Sequence, residues 1–386
     1  MGDVAAPPAT GAQGAEGADV QIFNSDIALN ARDQQHLQTL YPKLAPYLVF
    51  PELHTVFAGH DKSANHAKRM GRRYGVVAIV LATAALIAAS ISPRLDTADW
   101  ATRLFAGIAA AAGIAGVAIA LFGGLYSRAK RNWLCNRLMT ERLRQFHFQT
   151  IVANALEIAR GMSNPGVMHR LVEERRRALA AFLHGYEGQL PGQLSAVIGD
   201  DAEALAWLAE KQAAHSAWTE LSPAERHNLD QIFDAYRLLR FEHQIRYGDF
   251  KLRKPGGIAL GAPRSLSGLL TFLAFLFIAV TFAVHVIVGF FVAFGIGHEV
   301  ENELHLAAVG LALLALAVRA FEEGLRPRHE VERYLRYRWT MSRLRDRFQG
   351  TTDVATKLAA MHEAEHASYS EMRDFLRTHE EALFVL

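Results

Sequence analysis

Four long apolar runs, arranged as two close pairs, constrain this chain more than any other feature. They cover about 75–92, 104–126, 266–296 and 304–321, and more than a hundred residues of polar character separate the pairs. A helix needs roughly 17–25 apolar residues to cross a bilayer core, and each run meets or approaches that length. The expected fold is an all-α integral membrane protein, with four transmembrane helices in two hairpins and a cytoplasmic helical domain.

Charge at the run ends sets the expected topology. Lys68, Arg69, Arg72 and Arg73 precede the first run, and Arg128, Lys130 and Arg131 follow the second. Lys251, Arg253 and Lys254 precede the third, and Arg326 and Arg328 follow the fourth. Loop 93–103 balances Arg94 and Arg103 against Asp96 and Asp99, and loop 297–303 has no Lys or Arg. The excess of Lys and Arg on one side puts both termini and the middle segment in the cytoplasm. The seven basic residues flanking the first pair are expected to contact anionic lipid head groups, at about 1 kcal/mol each near the surface. Trp100 and Tyr126 fall near run ends, where amphipathic rings prefer the interface.

Composition excludes several classes. A net charge of +2 gives no global pull toward nucleic acid. Cys135 is the single cysteine, so an internal disulfide and a cysteine-built metal site are both excluded. Residues 1–20 are rich in Ala, Gly and Pro without an apolar core, and read as a disordered N-terminus.

The runs differ in character. The second places Ala109/Gly113, Ala112/Gly116 and Gly116/Ala120 at four-residue spacing, which lets helix backbones approach closely, inside the hairpin or between copies. The third is about 31 residues long and must tilt, break near Gly289 or project from the bilayer. His285 lies deep in it. Ionisable groups at such depth face a partner or a water-filled cavity, so His285 is the candidate intramembrane polar site; a neutral imidazole bonding a neighbouring helix is the structural alternative. Arg319, near the end of the fourth run, is expected to snorkel.

A repeat links the two halves. Trp133, Arg137, Arg142, Leu143 and Arg144 follow the second run, and Tyr334, Arg338, Arg343, Leu344 and Arg345 follow the fourth, each pair 201 positions apart. The same shift carries the second run onto the fourth and the first onto part of the third. The chain therefore reads as a tandem duplication of a two-span module followed by a basic amphipathic helix. Residues 21–160 form the first module, 161–224 a cytoplasmic helical insert, and 225–386 the second module with its C-terminal cytoplasmic helices.

The remaining segments read as helices. Residues 167–186 put Leu171, Val172, Ala178 and Phe182 on one side. Ser222-Pro223-Ala-Glu225 is a capping-box helix start, from which a helix runs to about Tyr247. Another is expected from about Asp353 to near Phe384. The run Glu173-Glu174-Arg175-Arg176-Arg177 reads as an exposed mixed-charge helix stripe.

One enzyme-like pattern occurs. His362-Glu363-Ala-Glu365-His366 fits the H-E-x-x-H zinc spacing, with two histidines on one helix face and a glutamate as base. Glu371, Glu380 and Glu381 are third-ligand candidates by sequence. The plainer reading is an amphipathic cytoplasmic helix without metal or cofactor, and no enzyme activity is expected.

Several of these residues also carry a resemblance. Phe57-x3-Asp61-x2-Ala64 with Arg72-Arg73-Tyr74, the helix bearing Trp133, Arg137, Glu141, Arg142 and Arg144, the segment Arg240-x3-Gln244-x2-Tyr247, and Glu365-x5-Glu371-x3-Phe375 together resemble the SLATT / DUF4231 group of bacterial two-span membrane proteins. The resemblance covers roughly residues 50–150 and 225–380. It implies a bacterial cytoplasmic-membrane effector of antiphage defence or signalling, homo-oligomeric, forming pores or perturbing the membrane when a cytosolic sensing partner is triggered. The alternatives are a non-conducting scaffold that docks a cytosolic protein, and a membrane-anchored zinc hydrolase using His362, Glu363 and His366.

Overall fold

A computed structural model describes residues 24–91, 123–186, 188–199, 221–253, 263–295 and 298–382, with isolated positions between 100 and 115. The expected disordered N-terminus, loop 93–103 apart from Trp100, and most of the second apolar run, with its small-residue spacing, lie outside the described residues. The described residues are helical throughout, with no strand among them.

In chain order the helices are α1 Ala31–Leu40, α2 Ala45–Leu48, α3 Pro51–Ile91, α4 Gly123–Ala153, α5 Ala155–Gly161, α6 Pro165–His184 and α7 Leu190–Gly199. Then follow α8 Pro223–Tyr236, a π-helical turn Arg237–Glu242, α9 His243–Arg253, α10 Pro263–Phe294, α11 His298–Leu325, α12 Pro327–Gln349 and α13 Val354–Glu381.

Local chemistry explains several boundaries. Ser222 caps α8: its hydroxyl accepts from the Glu225 amide at 3.3 Å, and the Glu225 carboxylate accepts from the Ser222 amide at 2.7 Å. That is the expected capping box, with Pro223 at the first helical position. Beyond it the helix runs past Tyr247, through the π turn, to Arg253. Asn164 caps α6 with Pro165 behind it, and Asp353 accepts from the Thr356 amide at 2.8 Å to open α13. Gly295 ends α10 at φ +64°, a left-handed conformation that costs glycine nothing. Arg326, at φ 45°, separates α11 from α12.

Two compact units emerge. The helical unit comprises residues up to His60, Met139–Asp249 and Tyr337–Glu371; the span-bearing unit comprises Asp61–Leu138, Phe250–Arg336 and Met372–Leu386. The residues of each expected module, 21–160 and 225–386, divide between the two units.

The helical unit holds the main apolar core, which includes Leu53, Phe57, Phe146, Phe148, Ile232 and Phe241. Its aromatic rings meet edge-on: Phe148 on Tyr236 at 5.9 Å and Phe233 on Phe348 at 5.6 Å. Such pairs contribute about 0.5–1.5 kcal/mol each beyond burial.

The span-bearing unit is built differently. Among the described residues, three helices are long and apolar enough to cross a bilayer: those that include the first, third and fourth runs. α10 and α11 pack on one another. α10 has 32 residues, about 48 Å at a helical rise, against a hydrocarbon core of about 30 Å. It does not break at Gly289, so of the expected accommodations only tilt or projection remains.

Candidate functional site

Two features stand out, one in each unit. The first is the apolar surface of α10 and α11. Only 6% of the most apolar stretch of α10 and 11% of that of α11 is buried within the chain. Phe272, Phe275, Phe282, Phe290 and Phe294 are all exposed. His285 is exposed on this surface, with its Nδ1 2.8 Å from the Thr281 carbonyl one turn back. Its ring lies 6.4 Å from that of His305 on α11, at 77°. The sequence reading treated His285 as alone; only the pairing of α10 with α11 reveals the second imidazole.

Where α10 and α11 meet lower down, Glu322 is the organising residue. It accepts from the Thr271 hydroxyl at 3.0 Å and pairs with Arg319 at 2.6 Å and Arg328 at 3.4 Å. Arg319 therefore has a carboxylate in reach, where snorkelling alone was expected. Glu322 is not legible as a hub in the sequence, because Thr271 is 51 residues away on another helix and Arg328 lies beyond the end of α11.

The expected head-group contacts divide. Arg69, Arg72, Arg73, Arg128 and Arg131 are exposed. Lys130 instead donates to the Glu380 and Ala382 carbonyls, closing the end of α13. Lys68 stands over the Trp133 ring at 5.8 Å. Trp133 is itself buried edge-on against Phe375 and His379.

A cavity of about 220 Å³ lies between α12 and α13 in the same unit, lined by Arg333, Arg336 and Arg377 together with Asp374 and Glu381. Its charges are largely matched: Arg336 is 3.7 Å from Asp374, Arg326 is 2.7 Å from Glu381, and Arg333 is 2.8 Å from Glu330.

The second feature is a set of buried arginines in the helical unit. Arg240, 2% exposed, meets the fully buried Glu365 through two parallel bonds of 2.9 and 2.8 Å. The Tyr236 hydroxyl donates to the same carboxylate at 2.6 Å, and the guanidinium lies 4.5 Å from the Phe148 ring. Burial works to lower the Arg240 pKa, but the Glu365 charge outweighs it and holds the group above its ordinary value. Arg240 sits in the π turn, a helix irregularity often found at functional positions.

Arg144 pairs with Asp26 at 2.9 Å and Glu141 at 2.8 Å, and donates to Asn24 at 2.8 Å. Arg142 donates to the Tyr186 hydroxyl at 2.8 Å and to Gln145 at 2.9 Å, with Tyr369 and Phe182 stacked near it. Their repeat counterparts are placed differently. Arg343 lies over the exposed Trp339 ring, 3.8 Å from Glu363. Arg345 reaches Asp346 at 2.8 Å and Glu242 at 3.7 Å. The leading arginines are alike: Arg137 lies 3.9 Å from Asp61, and Arg338 lies 2.6 Å from Asp249.

Arg175 corrects the sequence reading. The charged run 173–177 was expected to be an exposed stripe, yet Arg175 is 4% exposed. The signal was present: Arg175 stands four residues from both Leu171 and Leu179, on the buried face of α6. Arg176 and Arg177 do face outward.

The H-E-x-x-H segment lies on α13. Glu363 pairs with Arg347, Glu365 with Arg240, and Glu381 with Arg326. Among the described residues, no group of three His, Cys, Asp or Glu is placed to hold a metal ion. Arg347 therefore pairs the carboxylate that the pattern would use as base.

Comparison with protein-family models, with curated proteins and with solved structures found no match.

Proposed function

We propose that this chain is a multi-pass protein of a bacterial cytoplasmic membrane, with four spans in two hairpins and both termini on the cytoplasmic side. In this reading, copies assemble through the spans and change membrane permeability when a cytosolic partner acts on the helical unit. One observation carries it: α10 and α11 present a nearly uncovered apolar surface that also bears His285, with His305 beside it. Phenylalanines on such a surface are satisfied by lipid. An imidazole pair is not, and its cost falls when it faces a second copy or a water-filled path. The sequence resemblance described above supports the effector role, and the charge bias at the run ends supports the topology.

The test is ion flux through liposomes holding the purified chain. Flux in the wild type, reduced at least several-fold in His285→Leu at equal incorporation, supports the reading. Tight liposomes at every protein density, with the chain monomeric by crosslinking, overturn it and favour a non-conducting scaffold.

A further inference from the structure

We propose that the cavity at the start of α3, floored by Arg175, is a binding site for a single carboxylate. The argument begins with charge. Arg175 is buried among neutral groups: one terminal nitrogen donates to the Tyr47 carbonyl, and the other approaches His147 Nδ1 at 3.0 Å and the His147 carbonyl at 3.1 Å. The rings of Tyr47 and Phe50 each lie 4.5 Å from the guanidinium. His147 is held well below its ordinary pKa by burial and by the Arg175 charge, so it is a neutral acceptor.

Of the other buried arginines of this unit, Arg144 and Arg240 have carboxylates at 2.9 and 2.8 Å, and Arg142 donates to the Tyr186 hydroxyl and, through a terminal nitrogen, to Gln145. No ion pair joins Arg175 to a carboxylate among the described residues, and its Nε–H has no acceptor. Burial pulls its pKa down to about 10. A buried charge without a counter-charge is costly, and a protein that keeps one has a use for it.

The cavity supplies the second observation. It measures about 40 Å³ and opens to the surface between Val49, Phe50, Pro51, Val172 and Arg175. Pro51 begins α3 and lines the cavity with Glu52, so the positive end of a 41-residue helix lies beside this space. The one acid at the rim, Glu52, is held by Arg176 at 2.8 Å, and Arg176 also binds Glu173. An anion in the cavity supplies the missing charge, and a small shift of the guanidinium then gives the Nε–H an acceptor.

Size selects the ligand. A water needs roughly 10–15 Å³ of such space, so the cavity takes about three atoms, the size of a carboxylate. A nucleotide phosphate chain is too large. The valine, proline and phenylalanine walls accept a short aliphatic stem. That stem belongs either to a free organic acid or to an Asp or Glu side chain of a docking protein.

The probe is sodium acetate, added to the purified full chain in detergent at constant ionic strength, with loss of helical signal on heating as readout. Acetate is expected to raise the unfolding temperature by a few degrees over chloride, with phosphate matching chloride. Arg175→Gln removes the response. Because that variant removes a buried group and risks misfolding, Val49→Phe fills the mouth while leaving Arg175 in place, and is expected to weaken the acetate response at least tenfold. Comparing acetate with N-acetylglutamate methylamide separates the sources: preference for acetate identifies a free acid, and preference for the blocked glutamate identifies a protein side chain. Equal effects of acetate and chloride, equal effects of acetate and phosphate, or an unchanged response in Val49→Phe overturn the proposal.

Discussion

On α4, Arg142 and Arg144 are buried; on α12, their counterpart Arg343 is exposed and Arg345 is half-buried. The four arginines share one sequence pattern, 201 positions apart. What differs is the cover. Asn24 and Asp26, from the segment before α1, reach Arg144, and Phe182 and Tyr186 at the end of α6 pack beside Arg142. Around α12, Arg343 stacks on an exposed tryptophan and Arg345 takes the carboxylate of its own neighbour Asp346. A repeat fixes which side chains a helix carries, but segments outside the repeat decide which of them lose water. The same arginine is then a core ion pair at Arg144 and a half-buried charge at Arg345.

The largest effect should come from breaking the buried member. Arg144→Ala strands Asp26, which is fully buried, and should cost about 3–5 kcal/mol, the usual penalty for removing one partner of a buried pair. Arg345→Ala should cost about 1 kcal/mol, because the half-buried Arg345 pairs closely only with the exposed Asp346 and reaches Glu242 at 3.7 Å. Chemical denaturation of the two variants in the same detergent checks the contrast. Equal losses would mean that cover does not distinguish the copies.

Acidification probes the leading aromatic of each copy. Trp133 packs on His379, whereas its counterpart Tyr334 lies under Arg333 at 4.5 Å. Burial, aided by the Arg333 charge and opposed by Glu330, lowers the His379 pKa to about 4. The unfolded chain takes up this proton near the ordinary value of 6.5, and the folded chain only near 4. Stability is therefore full above pH 6.5 and falls as pH drops toward 4, by about 3 kcal/mol for this group. His147, depressed in the same direction, adds to the loss. His379→Gln should flatten part of the stability profile between pH 7 and 5. An unchanged slope would remove His379 from the account.

A smaller difference is expected for Arg142 and Arg343. Arg142→Ala loses a charge-assisted bond to Tyr186, one to Gln145 and two ring contacts, which together should cost about 1.5–3 kcal/mol. Arg343→Ala should stay within about 0.5 kcal/mol. Thermal unfolding of the pair ranks them directly.

Much of this architecture is legible in the sequence because its causes are local. The apolar runs, the Ser222–Glu225 cap and the starts of α6 and α13 each depend on residues within a turn or two. The partners are not legible for the opposite reason. Asp26 precedes Arg144 by over a hundred positions, and Glu365 follows Arg240 by 125, so nothing near either arginine announces its carboxylate. The resemblance singled out both Arg240 and Glu365 without showing that they touch. The π turn is equally silent, since its sequence, RLLRFE, has no breaker residue. Arg175 is the intermediate case: its position on the apolar stripe was readable, but charge run and stripe conflicted, and the helix resolved the conflict by burying one arginine of three.

The smallest prediction asks whether the copies agree where the structure says they should. Arg137 and Arg338 are the one repeated pair that reaches an aspartate on a neighbouring helix in both copies, Asp61 at 3.9 Å and Asp249 at 2.6 Å. The side chains of the second pair are about a third exposed, and the first pair is longer but drier. Distance favours the second and dielectric the first, and the distance difference is the larger effect because attraction between the charges weakens from 2.6 to 3.9 Å. Double-mutant cycles, Arg338→Ala with Asp249→Ala and Arg137→Ala with Asp61→Ala, should give coupling near 0.5–1 kcal/mol for the second copy and less than about 0.5 for the first. The reverse order would show that burial outweighs charge separation at these positions, and would carry the contrast between Arg144 and Arg345 into the residues where the two segments otherwise match.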